Sequence, residues 1–126
     1  MKLRNMFLVG IALTLVVSAA PPVQAPLAVD PSIYNLKLNN DRVRVFVVLF
    51  KPGQEIAVHK HPDHVVHAIT SGRLMIHETG KDPVTMDVPA GATLFLPAQS
   101  HSAKNVGKTT LRLLVVELKE PSAASR

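Results

Sequence analysis

Six histidines are the residues of this chain best suited to chemistry, and they are found at positions 59, 61, 64, 67, 77 and 101. His59 and His61 lie two apart, after the apolar residues 56–58, and Lys60 between them is expected to face the other way. On a β-strand, side chains at i and i+2 point to the same face, so both imidazoles can reach one ion. Imidazole nitrogen suits zinc, iron, nickel, copper and manganese better than calcium or magnesium. The chain has no Cys, which excludes thiolate metal sites and thiol nucleophiles.

Short strands must position these histidines, because no segment shows a long helical period. Eight apolar segments alternate with turns that are marked mostly by Gly or Pro. The predicted strands are 43–50, 56–61, 65–70, 73–78, 84–88, 93–96, 102–106 and 111–118. Within 126 residues this spacing indicates one all-β domain, an antiparallel sandwich or barrel.

The N-terminal residues have the composition of an export signal. Lys2 and Arg4 precede an apolar run at 7–17 and the small residues at 18–20. We expect residues 1–25 to be a signal peptide, so that the protein is periplasmic or secreted and leaves the membrane after cleavage. The alternative is tethering by an uncleaved N-terminal segment. The remaining predicted divisions are a linker or N-terminal arm at 26–38, a barrel at 39–120 and a tail at 121–126.

The charged residues indicate no nucleic-acid partner. The formal net charge is +5, but the basic residues are scattered and are not interleaved with aromatics. Glu55 and Glu117 are expected to be solvated charges on strands or edges. Arg42 and Arg44 share a strand face, for which a solvated role is expected ahead of contact with an anionic substrate.

Two groups of residues resemble the conserved motifs of the cupin superfamily. The first group is Gly53, His59, His61 and Gly72, and the second is Gly91, Pro97, His101 and Asn105. The resemblance extends over roughly residues 40–119. It implies a single antiparallel cupin β-barrel of the jelly-roll type.

The same resemblance implies one divalent transition metal ion, of iron, manganese, nickel, copper or zinc, held by His59, His61 and His101. The glutamate that cupins usually add is missing, since Val65 stands at its place by spacing from Gly72. His64 takes that place if the turn holds one extra residue. The alternatives are a site of three histidines and a site with Asp63 as the carboxylate.

The two other histidines are expected to lie outside the metal site. His77 is expected to be solvated. His67 is expected to point away from the metal, unless Val65 lies on the inward face and brings His67 with it.

The expected function is therefore that of a divalent-metal-binding domain. The first hypothesis is a small metal-dependent enzyme, a dioxygenase, isomerase or lyase acting on a small oxygen-rich substrate, with dioxygenase chemistry first and catalytic residues unknown. The alternative is a non-catalytic exported module that binds a metal or a small ligand. The resemblance also implies homodimer contact through the sheet opposite the metal.

Overall fold

The computed structural model describes residues 19–120, which form one short helix, α1 (Pro26–Val29), and nine strands. The strands are β1 (Tyr34–Asn39), β2 (Val43–Phe50), β3 (Glu55–His61), β4 (His64–Ala68), β5 (Gly72–Glu78), β6 (Val84–Val88), β7 (Thr93–Leu96), β8 (Gln99–Asn105) and β9 (Leu111–Leu118). Residues 1–18 of the predicted signal peptide and the predicted tail at 121–126 lie outside the described residues.

The strands form two antiparallel sheets, which confirms the all-β jelly-roll prediction. One sheet has the order β1-β2-β9-β4-β7 and the other has the order β3-β8-β5-β6. Among the described strands the hydrogen bonding runs within these two sheets, so the fold is a two-sheet sandwich rather than a continuously closed barrel.

Alternating side chains of the central strands β2 and β9 form the core. Phe46, Val48 and Phe50 point inward from β2, and Leu111, Leu113 and Val115 point inward from β9. Each of these side chains is buried, because successive residues of a strand point to opposite faces and only one face meets the other sheet. The same alternation decides which polar side chains of these strands are buried.

The N-terminal segment covers the edge of the sheet that carries β3. The Lys60 N–H of β3 donates a hydrogen bond to the Gln24 carbonyl at 2.9 Å, and Pro26 of α1 is buried. The segment predicted as a linker or arm, 26–38, thus contains α1 and all but the last residue of β1, which pairs with β2 from Tyr34 to Asn39. Among residues 19–120, no helix has the length and apolar character needed to cross a membrane.

Asn105 fixes the turn between β8 and β9. Its side-chain amide donates hydrogen bonds to the carbonyls of Phe50 and Thr109 at 2.8 and 2.9 Å. Its Oδ1 accepts the Gly107 N–H at 2.9 Å. Asn105 is fully buried, so these bonds satisfy a polar group that would otherwise destabilise the core.

Candidate metal centre

A β-bulge in β3 points two histidines into the sandwich. Between Ile56 and His59 the pairing with β8 shifts register, so that two consecutive residues, Ala57 and Val58, are exposed. His59 and His61 are both buried, whereas Lys60 between them is exposed. The i, i+2 expectation is therefore confirmed, although the inward face of β3 changes at the bulge.

Two other strands bring further histidines to the same place. His101 on β8 is the cross-strand partner of His59, and their ring centroids are 4.6 Å apart. His64 begins β4 in the opposite sheet, after the bend at residues 62–63, and its ring stacks on His61 at 4.5 Å. Nitrogen atoms of His59, His61 and His101 lie within 4.8 Å of one another, so these three can hold a metal ion. His64 as a further ligand stays a prediction.

Hydrogen bonds fix the tautomer of three of the rings. The Nδ1 atoms of His59 and His64 lie 2.8 Å from the carbonyls of Ala57 and Pro62, and Nδ1 of His61 lies 2.7 Å from Oε1 of Glu117. Carbonyl and carboxylate oxygens only accept hydrogen bonds, so each Nδ1 must carry the proton. In a neutral ring, Nε2 therefore carries a free electron pair, and this nitrogen can bind a metal ion.

Burial keeps several of these rings neutral. Desolvation, followed by the effect of neighbouring His61 and His64, lowers the pKa of His59 to about 4. Desolvation together with the neighbouring histidines lowers the pKa of His101 to about 3, and burial also lowers the pKa of His64. Protons therefore compete weakly with a metal ion for these nitrogens near neutral pH.

Glu117 is fully buried, and its expected role as a solvated charge is wrong. It accepts hydrogen bonds from His61 Nδ1 and from Arg44 Nε, each at 2.7 Å. Burial by itself raises the pKa of Glu117, but the two hydrogen bonds outweigh it and hold that pKa below its usual value. Arg44, for which a solvated face was also expected, is the cross-strand partner of Glu117 and is only partly exposed.

Tyr34 at the start of β1 also reaches the cluster, and it was not among the side chains predicted to lie there. Its side chain is buried, and its hydroxyl oxygen lies 3.3 Å from His59 Nε2 and 3.4 Å from His61 Nε2. Tyr34 lies close to the prolines at 21–31. Because of these prolines the segment was predicted as a linker or arm, and the strand that positions Tyr34 was not predicted.

The other candidate side chains lie away from the cluster. His67 hydrogen-bonds to Thr93 Oγ1 at 2.8 Å, and His77 is exposed on β5. Asp63, the alternative carboxylate, is exposed and accepts the Ala98 N–H at 2.8 Å. His67 and His77 thus lie outside the cluster, as expected.

The donor set fits a transition metal ion. Three imidazoles meet in a buried site, and nitrogen donors of this kind suit zinc, iron, copper, nickel and manganese. Glu117 supports this set from behind His61, in the arrangement that orients a histidine ligand and raises its basicity.

A cavity of about 320 Å³ lies beside the cluster, between the two sheets. His61, His64 and His101 line it together with Tyr34. Most of its other lining is aliphatic and includes Val66, Leu74, Ile76, Val88, Leu113 and Val115. The exposed Lys81 and Asp82 also line it. The lining of the cavity is thus histidine-rich beside the cluster and mainly aliphatic elsewhere.

Comparison with known families gives a match to the cupin domain over residues 46–117. Among solved structures, a cupin domain from Bordetella pertussis Tohama I superposes with a TM-score of 0.65 at 27% sequence identity, covering 80% of this chain and all of that one.

Two curated proteins are similar in sequence. The oxalate-binding protein of Thermotoga maritima is 31% identical over 80 residues, which are 61% of this chain and 64% of that protein. Auxin-binding protein 1 of Arabidopsis thaliana is 31% identical over 87 residues, which are 63% of this chain and 43% of that protein. The chain spans less than two thirds of each of these relatives.

The lowered histidine pKa values predict a loss of stability in mild acid. In the unfolded chain His59 and His101 take up protons below about pH 6.5, whereas in the folded chain their pKa values are about 4 and about 3. The unfolded state therefore binds more protons in this range, and stability falls as the pH falls from about 6.5 to 4. We expect a loss of about 1–2 kcal/mol per histidine at about pH 5 in metal-free protein, measured by urea unfolding.

The exposed His77 provides the control, since His77→Gln should leave this pH dependence unchanged. Glu117 adds a separate decline at lower pH, because its pKa is lowered in the folded state and its contribution is lost on protonation below about pH 4.5. A free energy of unfolding that stays constant between about pH 7 and pH 5 would contradict the buried neutral imidazoles.

Proposed function

The chain belongs to the cupin domain family, and on this premise we propose that it binds one divalent transition metal ion and, through that ion, a small molecule in the adjoining cavity. The observation that carries the proposal is the buried group of His59, His61 and His101 at the wall of an apolar cavity. A bound ion would act as a Lewis acid toward the oxygen donors of a ligand. The imidazoles would hold the ion, and the aliphatic lining would exclude water around the ligand.

The cavity indicates the class of ligand. Its aliphatic lining complements an apolar body, and its histidine wall leads to the metal, which favours an oxygen-bearing head such as a carboxylate or enolate. The names of the two curated relatives, an oxalate-binding and an auxin-binding protein, support a role in binding small molecules. We place the binding function first for this reason.

A metal-dependent enzyme, a dioxygenase before an isomerase or lyase, is the second candidate. It is favoured by the three imidazoles, which add no negative charge of their own to an ion that polarises a substrate. Oxygen consumption by the iron-loaded chain, in the presence of the ligand that binds best, decides between the two. Turnover supports the enzyme, and tight binding with no turnover supports the binding module.

Export and self-association also belong to the proposal. Basic residues followed by an apolar run within residues 2–20 support a signal peptide and a periplasmic or secreted location. Identifying the N-terminal residue of protein recovered from the cell exterior or periplasm tests whether the signal peptide is removed. Leu36 and Leu38 are exposed on the edge strand β1 and support a homodimer, which light scattering tests.

Histidine substitutions test the metal site. His101→Ala removes one nitrogen donor, so we expect zinc affinity to fall by more than about 100-fold in competition with a chromogenic chelator. His64→Ala should also weaken binding if His64 is a fourth ligand, whereas full affinity would leave a three-histidine site. His77→Ala is the matched control. If the wild-type chain holds no stoichiometric metal under metal-replete conditions, the proposed function fails.

A ligand series tests the cavity. We expect the affinity of the metal-loaded chain for unbranched monocarboxylates to rise about three- to fourfold for each methylene from acetate to hexanoate, because each buries apolar surface. Ile76→Thr, in the cavity wall, should reduce this gain, and Val58→Thr, on the exposed side of β3, should not. Binding is measured by calorimetry. An affinity that does not depend on chain length, or that is unchanged after metal removal, contradicts the proposal that the ligand binds in the cavity through the metal ion.

A further inference from the structure

The tyrosine ring beside the cluster is held in place by contacts with three other rings. Tyr34 is 5% exposed and packs edge-on against Phe46, with ring centroids 5.4 Å apart and an interplanar angle of 89°. Its backbone pairs with Val48 of β2. Its ring also contacts the rings of His59 and His61. Burial and these contacts therefore direct the hydroxyl at the histidines.

The phenol oxygen stands opposite two electron pairs that it cannot both satisfy. It lies 3.3 Å from His59 Nε2 and 3.4 Å from His61 Nε2, and both rings carry their proton on Nδ1. A phenol has one proton and can donate to only one of these nitrogens. Both distances are longer than the usual 2.7–3.0 Å or so of a good hydrogen bond from a hydroxyl. Hydrogen bonding alone therefore explains poorly why the phenol oxygen lies so close to both Nε2 atoms.

A shared metal ion explains the same distances well. Ligand atoms bound to one ion at about 2.0–2.2 Å, with angles between octahedral and tetrahedral values, lie about 3.0–3.5 Å apart. The separations of the phenol oxygen from the two Nε2 atoms fall within that range. The oxygen thus has the spacing of a ligand.

The charge of the site favours the same assignment. Val65 occupies the place from which a carboxylate was expected, and Glu117 is bound to the far side of His61 through Nδ1. An ion held by imidazoles alone keeps its full charge in a buried site, and burying a charge without an opposite one is costly. A phenolate at Tyr34 supplies that opposite charge.

We propose that Tyr34 ligates the metal ion through its phenol oxygen, as a ligand contributed by β1 from outside the family-matched residues 46–117. The assignment rests on the metal-binding function proposed above. On binding, the bond between oxygen and metal forms, the O–H bond breaks, and the proton passes to the buffer. No electron transfer is involved. Tyr34 then occupies one coordination position of the ion, so fewer positions remain for an external ligand.

The composition of the chain makes this ligand directly visible. Tyr34 is the single tyrosine and the chain has no tryptophan, so the ultraviolet spectrum above the phenylalanine bands reports on Tyr34 alone. Zinc is spectroscopically silent and serves as the probe. Titration of the metal-free full chain with zinc at neutral pH should produce the red-shifted phenolate band, which saturates at one equivalent. About one proton should be released for each zinc bound, measured by calorimetry in buffers of different ionisation enthalpy.

Tyr34→Phe is the matched variant, because it keeps the ring that packs on Phe46 and removes only the oxygen. We expect this variant to release about one proton fewer and to bind zinc about 10- to 100-fold more weakly. His77→Ala should behave as wild type. Stoichiometric zinc binding by wild type without a phenolate band overturns the Tyr34 assignment and leaves the metal-binding function standing. Absence of zinc binding by wild type overturns both. The wild-type spectrum decides the assignment even if Tyr34→Phe folds poorly.

Discussion

The hydrogen bond between Glu117 and His61 is the interaction on which the site depends. It joins the two sheets, since Glu117 lies on β9 and His61 on β3. A buried carboxylate is stable only with partners that compensate for its lost hydration, and His61 and Arg44 supply them. In return the carboxylate holds the proton on His61 Nδ1 and leaves Nε2 free. One contact therefore links the two sheets and fixes the orientation of the ring and its tautomer.

Two local distortions bring the other rings to the same point. The bulge at residues 57–58 changes the inward face of β3, and the carbonyl of Ala57 accepts the Nδ1 proton of His59. The bend after His61 begins β4 in the other sheet, and the Pro62 carbonyl accepts the Nδ1 proton of His64. In both cases a histidine binds the carbonyl two residues before it. Backbone irregularities thus act as orienting groups for the imidazoles.

Much of the scaffold could be predicted because alternation and turn residues are local signals. The strands at 43–50, 84–88, 93–96 and 111–118 have the predicted bounds, each set by Pro, Gly or a polar turn. Strand β1 was missed because its polar side chains and nearby prolines resemble a linker, and only its pairing with β2 stabilises it. Tyr34 was missed with it, since no local pattern connects residue 34 with residue 59.

Glu117 was missed for a different reason, because a usable signal existed. Leu111, Leu113 and Val115 alternate inward, and the same period places Glu117 inward. Arg44 similarly continues the inward row of β2 that begins at Phe46. A charged residue in phase with a core row indicates a buried pair when a second strand offers the opposite charge. The partner and its distance, however, depend on the register of β2 against β9, which only the folded structure supplies.

The most direct test of the account is a zinc titration followed by imidazole nitrogen NMR, which resolves the histidines one by one. The account predicts that Nε2 signals of His59, His61 and His101 shift in slow exchange and reach completion at one equivalent. The signals of His67 and His77, which lie away from the cluster, should remain unchanged. The Nδ1 proton of His61 should stay in place, held by Glu117. A shift that is spread over all six histidines, or that begins at His77, would contradict a metal centre built from this cluster.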